Sequence, residues 1–232
     1  MPRLAHTRRR GFLALIACFI AVGVATTAAL ATVTLYSNDL GSKHKARELT
    51  HNEGNHCEKE WMKKREVVQI TVLRGPERCG YSPPVMADGH LPDTGIAASM
   101  KLSKKTRKAA RKHSYLALEV RRGKKQGYEM RVYPRTRDCS LRRSPHGGPF
   151  PVDCSSAAIQ GVNKHNTLRL QVFGRDVKAF VNGALVANVN DPNPDEVGGR
   201  KTEVAVGNTA RSKRDAVGLL DHVKVFCANG GC

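Results

Sequence analysis

Nine short segments after residue 66 alternate apolar and polar side chains, and this pattern limits the possible folds more than any other feature. Leu116, Leu118 and Val120, for example, fall on one side of a half-buried strand. No long amphipathic helix separates the segments, which disfavours a parallel α/β sheet. The predicted strands cover residues 67–73, 96–102, 115–121, 128–133, 168–173, 177–181, 184–189, 203–207 and 219–226.

Turn-forming residues separate these segments. Asn182-Gly183 is a strong hairpin signal, because both residues tolerate a positive φ. Gly174 to Asp176 form the turn before it, and a glycine-flanked segment at 123–127 joins the two central strands. Short strands with such turns predict an all-β sandwich of two antiparallel sheets.

The sequence from Asn166 to Val189, NTLRLQVFGRDVKAFVNGALVANV, resembles the hairpin region of concanavalin A-like jelly rolls, including laminin G-like domains of bacterial surface proteins. The segments 115–120, 127–132, 204–207 and 219–226 resemble the middle and last strands of that fold. The resemblance extends over residues 67–227. It implies a two-sheet antiparallel sandwich whose first and last strands lie side by side. Members of this superfamily bind glycans or proteins, and some hydrolyse glycans.

The glycan hydrolases of this superfamily carry closely spaced acids, in an ExDxxE-like pattern, on one strand. Glycoside hydrolysis needs two carboxyl groups flanking the scissile bond. The predicted strand faces carry only Glu119, Glu129, Glu203 and Asp221, and none of these has another acid two residues away. We therefore expect no enzyme activity, with a glycan hydrolase, complete or degenerate, as the alternative.

Residues 11–36 contain no charged side chain and follow a basic segment with four arginines. About 20 apolar residues suffice to cross a bilayer as a helix, and positive flanks stay in the cytoplasm. We predict a transmembrane signal anchor with the C-terminal part outside the cell. Cleavage of a signal peptide after Ala31 would give a secreted protein instead, and Arg9-Arg10 resembles the core of a twin-arginine export signal.

Six of the seven cysteines follow this segment, an even number that predicts three disulfides in an exported domain. A Cys139–Cys154 bond would close a loop rich in proline and glycine. If the first and last strands pair, Cys57 would approach Cys227 or Cys232. No CxxC pair exists, which disfavours a metal site. The predicted disulfide cysteines are Cys57, Cys79, Cys139, Cys154, Cys227 and Cys232.

The chain has a net charge of +19, and residues 101–149 contain 16 basic and three acidic side chains. Such a density of like charge calls for an anionic partner, whereas a solvated loop is the alternative. The expected partners are an anionic cell-envelope polymer, lipid head groups or a surface protein, and the compartment argues against nucleic acid. The predicted binding residues are Lys101, Lys104, Lys105, Arg107, Lys108, Arg111, Lys112, Arg121, Arg122, Lys124 and Lys125.

Seven basic side chains between residues 101 and 112 predict an exposed connection there, since they cannot be buried unpaired.

Tyr133 and Phe173 lie on the less apolar side of their strands, where an exposed ring could stack on a sugar. Asp191, Asp195 and Glu196 are weak candidates for Ca²⁺ ligands, and an ordinary surface turn is the preferred interpretation. No other cofactor is expected.

The sequence thus predicts a cytoplasmic tail at 1–10, the anchor at 11–36, a polar stalk at 37–66 and one β-sandwich at 67–232. A short helix is expected in the stalk near residues 58–64. The favoured function is that of a membrane-anchored extracytoplasmic binding module for an anionic glycan, cell-wall polymer or surface protein. A purely structural envelope protein is a further alternative.

Overall fold

The computed structural model describes residues 32–84, 93–123, 127–144, 149–194, 197, 199, 201–210 and 215–227. Most of these residues lie in strands, and one short helix, α1 (Lys43–Arg47), follows the first strand. The strands are β1 (Val33–Asn38), β2 (Thr50–Glu53), β3 (Cys57–Met62), β4 (Val67–Val72), β5 (Glu77–Ser82), β6 (Thr94–Leu102), β7 (Ser114–Arg122), β8 (Gly127–Tyr133), β9 (Asp138–Ser144), β10 (Val152–Ser155), β11 (Asn166–Phe173), β12 (Asp176–Val181), β13 (Ala184–Asn190), β14 (Lys201–Asn208) and β15 (Ala216–Cys227).

The strands form two antiparallel sheets that share one apolar core. The eight-stranded sheet has the order β13-β12-β11-β6-β15-β4-β3, with β1 also paired to β15. The seven-stranded sheet has the order β10-β9-β8-β7-β14-β5-β2. Leu116 and Leu118 of one sheet and Leu168 and Leu170 of the other are fully buried in this core. The predicted sandwich is confirmed, and all nine predicted strands are present.

The predicted hairpin turn is also confirmed between β12 and β13. Asn182 and Gly183 have φ values of 50° and 84°. The Asn182 side chain fixes the turn, because its Oδ1 accepts from the Thr167 N–H at 2.8 Å and its Nδ2 donates to the Ala158 carbonyl at 2.7 Å. The turn therefore also holds a neighbouring connection in place.

The predicted stalk at 37–66 is wrong, because strands and a helix of the sandwich occupy this segment. β2 and β3 each form one edge of a sheet, and β3 replaces the helix expected near residues 58–64. Leu40 and Leu49 are buried in the core, and Trp61 Nε1 donates to the Leu40 carbonyl at 3.1 Å. Isolated apolar residues with polar neighbours in the sequence make these core contacts. The alternation of apolar and polar residues therefore does not reveal them.

The C-terminal end of the predicted apolar span, residues 33–36, belongs to strand β1 and not to a transmembrane helix. Val33 to Tyr36 belong to a strand that pairs with β15, and Val33 lies opposite Cys227. β15 also pairs with β4, the first strand that the sequence predicts, as the jelly-roll resemblance implies. Residues 1–31, with the rest of the apolar segment and the cleavage position after Ala31, lie outside the described residues. Within the described ranges, no helix is long and apolar enough to cross a membrane.

Two disulfides cross-link the strands. Cys139 is bonded to Cys154, as predicted. Cys57 of β3 is bonded to Cys79 of β5, so this disulfide connects the two sheets. The predicted bridge from Cys57 to Cys227 or Cys232 is wrong, because Cys57 is bonded to Cys79. Cys227 is also disulfide-bonded, to a partner outside the described residues.

Three further strands, β5, β9 and β10, escape prediction because charged or polar residues interrupt the alternation. Arg143 of β9 is buried, and its Nη1 lies 2.9 Å from Oδ1 of the buried Asp191. The Tyr128 hydroxyl donates to Oδ2 of Asp191 at 2.6 Å. Burial and this hydrogen bond raise the pKa of Tyr128 well above its ordinary value.

The integration of residues 37–49 into the fold can be tested at Asn38. This buried side chain accepts from the Leu40 N–H at 2.7 Å and donates to the Lys45 carbonyl at 3.0 Å. Asn38→Ala should lower the free energy of unfolding by about 1–3 kcal/mol, because it leaves buried polar groups unsatisfied. Urea denaturation measures this, and the exposed Asn188→Ala should stay within about 0.5 kcal/mol of the parent. Equal stability of both variants would mean that this segment is not part of the cooperative unit.

Candidate functional site

Polar and aromatic side chains share the outer face of the seven-stranded sheet, the face that points away from the core. Leu116 and Leu118 of β7 point into the core, so Tyr115, Ala117 and Glu119 alternate to the outer face. The equivalent positions of β5, β8 and β14 point the same way, because paired strands share their pleat. This face gathers residues that lie far apart in the sequence.

Three glutamates meet on this outer face. Glu119 of β7 lies directly opposite Glu129 of β8 and Glu203 of β14. The sequence criterion considered only acids two residues apart along one strand, so it did not reveal this cross-strand arrangement. These acids are paired across strands and not along one strand, and an ExDxxE-like pattern cannot detect that arrangement.

Arg78 of β5 compensates these carboxylates. Its Nη2 lies 2.8 Å from Glu119 Oε2 and its Nε lies 2.9 Å from Glu129 Oε1. Its Nη1 contacts both Glu203 and Glu53. Burial alone would lower the pKa of Arg78, but the four carboxylates together hold it well above its ordinary value. We call these five residues the Arg78 cluster.

Two glycines make room for the Arg78 cluster on the sheet surface. A Cβ atom at Gly80 would overlap the Glu203 carboxylate, and one at Gly127 would overlap that of Glu119. Asn52 Nδ2 also donates to Glu203 Oε2 at 2.9 Å. The glutamates can therefore lie over the backbone of neighbouring strands, and the Glu203 side chain has no exposed surface.

A tyrosine pair lies beside the Arg78 cluster. The ring centroids of Tyr115 and Tyr133 are 5.5 Å apart, and the rings are tilted by 52°. The guanidinium carbon of Arg131 lies 4.7 Å from the Tyr115 ring centroid. Arg131 Nη2 lies 2.6 Å from Glu129 Oε2, so this arginine connects the tyrosines with the cluster. Burial, chiefly, raises the pKa of Tyr115 far above its ordinary value.

Two open clefts border the tyrosine pair. The first, of about 450 Å³, is lined by Tyr115, Arg131 and members of the Arg78 cluster. The second, of about 550 Å³, is lined by Tyr133, Arg142 and Lys112 together with residues of β9 and β10. The second cleft therefore offers the half-buried ring of Tyr133 beside charged hydrogen-bonding groups, whereas Tyr115 at the first cleft is buried. Such groups suit a polyhydroxylated ligand, because they fix its orientation while the ring buries its apolar face.

The basic stretch forms an exposed connection between the sheets, as predicted. Lys101 belongs to β6, and residues 103–113, which we call the basic loop, contain no strand. Thr106 is buried, and its Oγ1 accepts from the Val217 N–H at 2.9 Å, which attaches the loop to β15. The exposed basic side chains of the loop are Lys104, Lys105, Arg107, Lys108 and Lys112. Their binding role stays a prediction.

Arg111 differs from the other cations of the basic loop. Its Nε donates to the Thr106 carbonyl at 2.9 Å and its Nη2 to the Lys104 carbonyl at 2.6 Å. Its charge thus stabilises the loop backbone. Lys112 lines the second cleft, whereas Lys105 Nζ lies 3.5 Å from Gln69 Oε1 of the eight-stranded sheet. The basic loop therefore reaches both sheets at one end of the sandwich.

The other predicted basic residues lie at the opposite end of the sandwich. β7 leads away from the basic loop over roughly 25 Å before it reaches the turn after Arg122. Arg121 is buried, and its predicted binding role stays a prediction. Lys124 and Lys125 lie outside the described residues. The predicted set therefore does not form one continuous surface.

The remaining predicted contacts are also separated. Tyr133 lies at the second cleft, whereas Phe173 is exposed on the other sheet. Asp191 is unsuited to Ca²⁺, because its buried carboxylate already accepts from Arg143 and Tyr128. Asp195 and Glu196 lie outside the described residues. In the part of the chain that the structure describes, no group of three or more His, Cys, Asp or Glu residues could hold a metal ion.

Solved structures share this architecture. A Bacillus subtilis protein of unknown function with a galectin-like fold matches at a TM-score of 0.58 and 12% identity, over 86% of this chain and 98% of that protein. The apo Crh5 transglycosylase matches at 0.58 and 11%, over 88% and 87%. A variant of alginate lyase A1-II′ matches at 0.51 and 9%, over 75% and 84%. The chain has a galectin-like jelly-roll fold.

The concanavalin A-like resemblance is thus confirmed at the level of the fold. No protein-family model and no curated protein matches the sequence. Because one jelly-roll fold hosts many activities, function has to be argued from the site.

The Arg78 cluster can be tested by removing its cation. Arg78→Met should lower the free energy of unfolding by about 3–5 kcal/mol, because it leaves buried carboxylates without a counter-charge. Urea denaturation with the disulfides intact measures this. A second change, Glu203→Gln, should restore part of the loss, because it removes one of the uncompensated charges.

The matched control for this test is Arg65→Met in the exposed turn after β3. Its stability should change by less than about 0.5 kcal/mol. If Arg78→Met is no less stable than Arg65→Met, the cluster does not depend on its guanidinium.

Proposed function

We propose that this protein is an extracytoplasmic binding module that holds an acidic glycan in the two clefts on the outer face of the seven-stranded sheet. The observation that supports this proposal most directly is Tyr133, whose half-buried ring lies at the second cleft and packs against the buried Tyr115 at the border of the first. A sugar ring stacks on an aromatic side chain, and its hydroxyl groups bond to arginine and carboxylate groups beside that side chain.

The basic loop favours an acidic ligand. Lys112 lines the second cleft with Arg142, and four more exposed cations precede it in the loop. These charges attract a polyanion over a range of about 8 Å at physiological ionic strength. Cell-envelope polymers that carry uronate or phosphate groups have the required chemistry. Two structural neighbours act on or bind sugars by their own description: the Crh5 transglycosylase in complex with NAG and the alginate lyase.

A glycan hydrolase is the second candidate, and the aligned glutamates favour it. Hydrolysis needs one carboxyl group that donates a proton and another that remains charged. In the Arg78 cluster a guanidinium contacts every carboxylate, whereas a general acid works from surroundings that favour its protonated form. Glu203 also has no exposed surface. We therefore favour binding over catalysis.

Membrane attachment through the apolar segment 11–31 belongs to the same proposal. The uncharged run supports it, and the disulfides are typical of proteins in an oxidising compartment. Cleavage after Ala31 would give a secreted form instead. N-terminal sequencing of the mature protein distinguishes the two forms.

Tyr133→Ala should weaken binding of an acidic polysaccharide such as polygalacturonate by about tenfold, because a stacking ring contributes about 1 kcal/mol or more. Calorimetric titration of the purified protein measures this. Phe173→Ala, which removes an exposed ring from the other sheet, is the matched control and should bind like the parent. Equal effects of the two changes would contradict the location of the site.

New reducing ends that are released by the parent but not by Glu119→Gln would instead favour the hydrolase.

The basic loop should contribute to affinity without contributing to stability. Changing Lys104, Lys105, Lys108 and Lys112 to Gln should weaken polysaccharide binding and flatten its dependence on salt. Arg111 is kept, because it holds the loop backbone. The melting temperature should hardly change, since exposed substitutions usually cost less than about 0.5 kcal/mol.

The control for the loop variant changes Lys63, Lys64 and Arg65 to Gln in the exposed turn between β3 and β4. It removes a similar amount of charge away from the clefts. Binding that falls equally in both variants would mean that only the net charge matters.

A further inference from the structure

The outer face of the eight-stranded sheet is rich in cations and aromatic rings. One cross-strand row runs from Phe180 through Arg169 and Ala97 to Lys224. The adjacent row runs from Lys178 through Gln171 and Gly95 to Phe226. These two rows contain three cations and two phenylalanines but no acid. We call the side chains of Arg169, Gln171, Lys178, Phe180, Lys224 and Phe226 the cationic face.

Arg169 lies at the centre of the cationic face between two rings. Its guanidinium carbon is 4.8 Å from the Phe226 ring centroid and 5.6 Å from that of Phe180. Its Nε and the Oε1 of Gln171 are buried and have no hydrogen-bond partner among the described residues. Burial lowers the pKa of Arg169, since the charge has lost water without gaining a carboxylate. The face therefore has positive charge left for an external partner.

Exposed apolar side chains flank these cations. Phe173 is 40% exposed at the end of β11, and Leu185, opposite Phe180, is 53% exposed near the opposite end of the sheet. Lys101 and Lys105 extend the positive charge at the basic loop. Asp176, at the margin, accepts from the Asn190 amide at 2.9 Å. Cations between exposed apolar residues are typical of proteins that contact the interface of a bilayer.

We propose that the cationic face lies against an anionic lipid surface. Its four strands span roughly 15 Å, an extent that suits a surface better than one small molecule. Lysine and arginine gain free energy next to anionic head groups, and exposed Phe and Leu side chains enter the apolar boundary.

The course of the chain favours lipid over an acidic protein as the partner. β1 pairs with β15 in this same sheet, and the uncharged segment 11–31 directly precedes β1. A segment of that length and composition can enter a bilayer. It would therefore bring this sheet close to the lipid. The clefts of the other sheet would then face away from the membrane. This inference rests on the proposed membrane attachment and does not depend on glycan binding.

Lysine acetylation followed by mass spectrometry tests the proposal on the full chain. The protein is mixed with phosphatidylcholine vesicles, or with vesicles that also contain about 30% phosphatidylglycerol. The apolar segment would insert equally into both kinds of vesicle. A difference in acetylation between them therefore reflects the charge of the lipid head groups. Acetylation of Lys178 and Lys224 should fall about threefold or more on the anionic vesicles and recover in about 0.5 M NaCl. Lys201, exposed on the other sheet, is the matched control and should not change.

Equal labelling of Lys178 and Lys224 on the two vesicles would overturn the proposal, and so would equal protection of Lys201. Protection by soluble polygalacturonate, without protection on anionic vesicles, would overturn it as well and assign this face to a glycan. The Tyr133→Ala variant separates the two proposals. It should lose glycan affinity while Lys178 and Lys224 remain protected on anionic vesicles.

Discussion

One guanidinium connects five of the seven strands of a sheet. Arg78 of β5 contacts Glu53 of β2, Glu119 of β7, Glu129 of β8 and Glu203 of β14. A buried ion pair adds little net stability, but breaking one is costly. A register shift of one residue would turn these glutamates towards the apolar core and away from Arg78. The Arg78 cluster therefore penalises wrong pairings of the seven-stranded sheet more than it stabilises the correct one.

The candidate site depends on that register. Tyr115 and Tyr133 face each other only because β7 and β8 pair with Glu119 opposite Glu129. Arg131 bridges the glutamates and the tyrosines, so the clefts are bordered by side chains that the sheet itself holds in place. A site built on strands in this way needs little reordering when a ligand binds, which lowers the entropic cost of binding.

Local sequence patterns predict the parts of this fold in which apolar residues alternate. They identify nine of the fifteen strands that the structure describes, the turn at Asn182-Gly183 and the Cys139–Cys154 bond. They miss β9, because Arg143 sits at a buried position and is compensated by Asp191, from a distant part of the chain. They miss the early strands as well, because single residues such as Leu40 carry that packing.

Sequence analysis singled out Tyr133 and Lys112 of the candidate site but missed the Arg78 cluster, for a related reason. Glu119 and Glu203 are paired by a strand register, and no spacing along the chain encodes that pairing. The basic residues, in contrast, are conspicuous in the sequence, yet the fold divides them. Arg121 is buried at one end, whereas the basic loop lies at the other. A run of charge predicts exposure, but only the topology decides which charges share a surface.

The basic loop joins two surfaces that face opposite ways. Lys112 borders a cleft of the seven-stranded sheet, whereas Lys105 lies beside Gln69 on the outer face of the eight-stranded sheet. Binding at either surface would weaken as salt rises, because both depend on exposed cations. Salt dependence alone therefore cannot tell a glycan from a lipid surface. The discriminating groups are those that the sheets separate: the tyrosine pair on one side, and Lys178, Arg169 and Lys224 on the other. A partner that needs ring stacking engages the first group, and a partner that presents only a plane of negative charge engages the second.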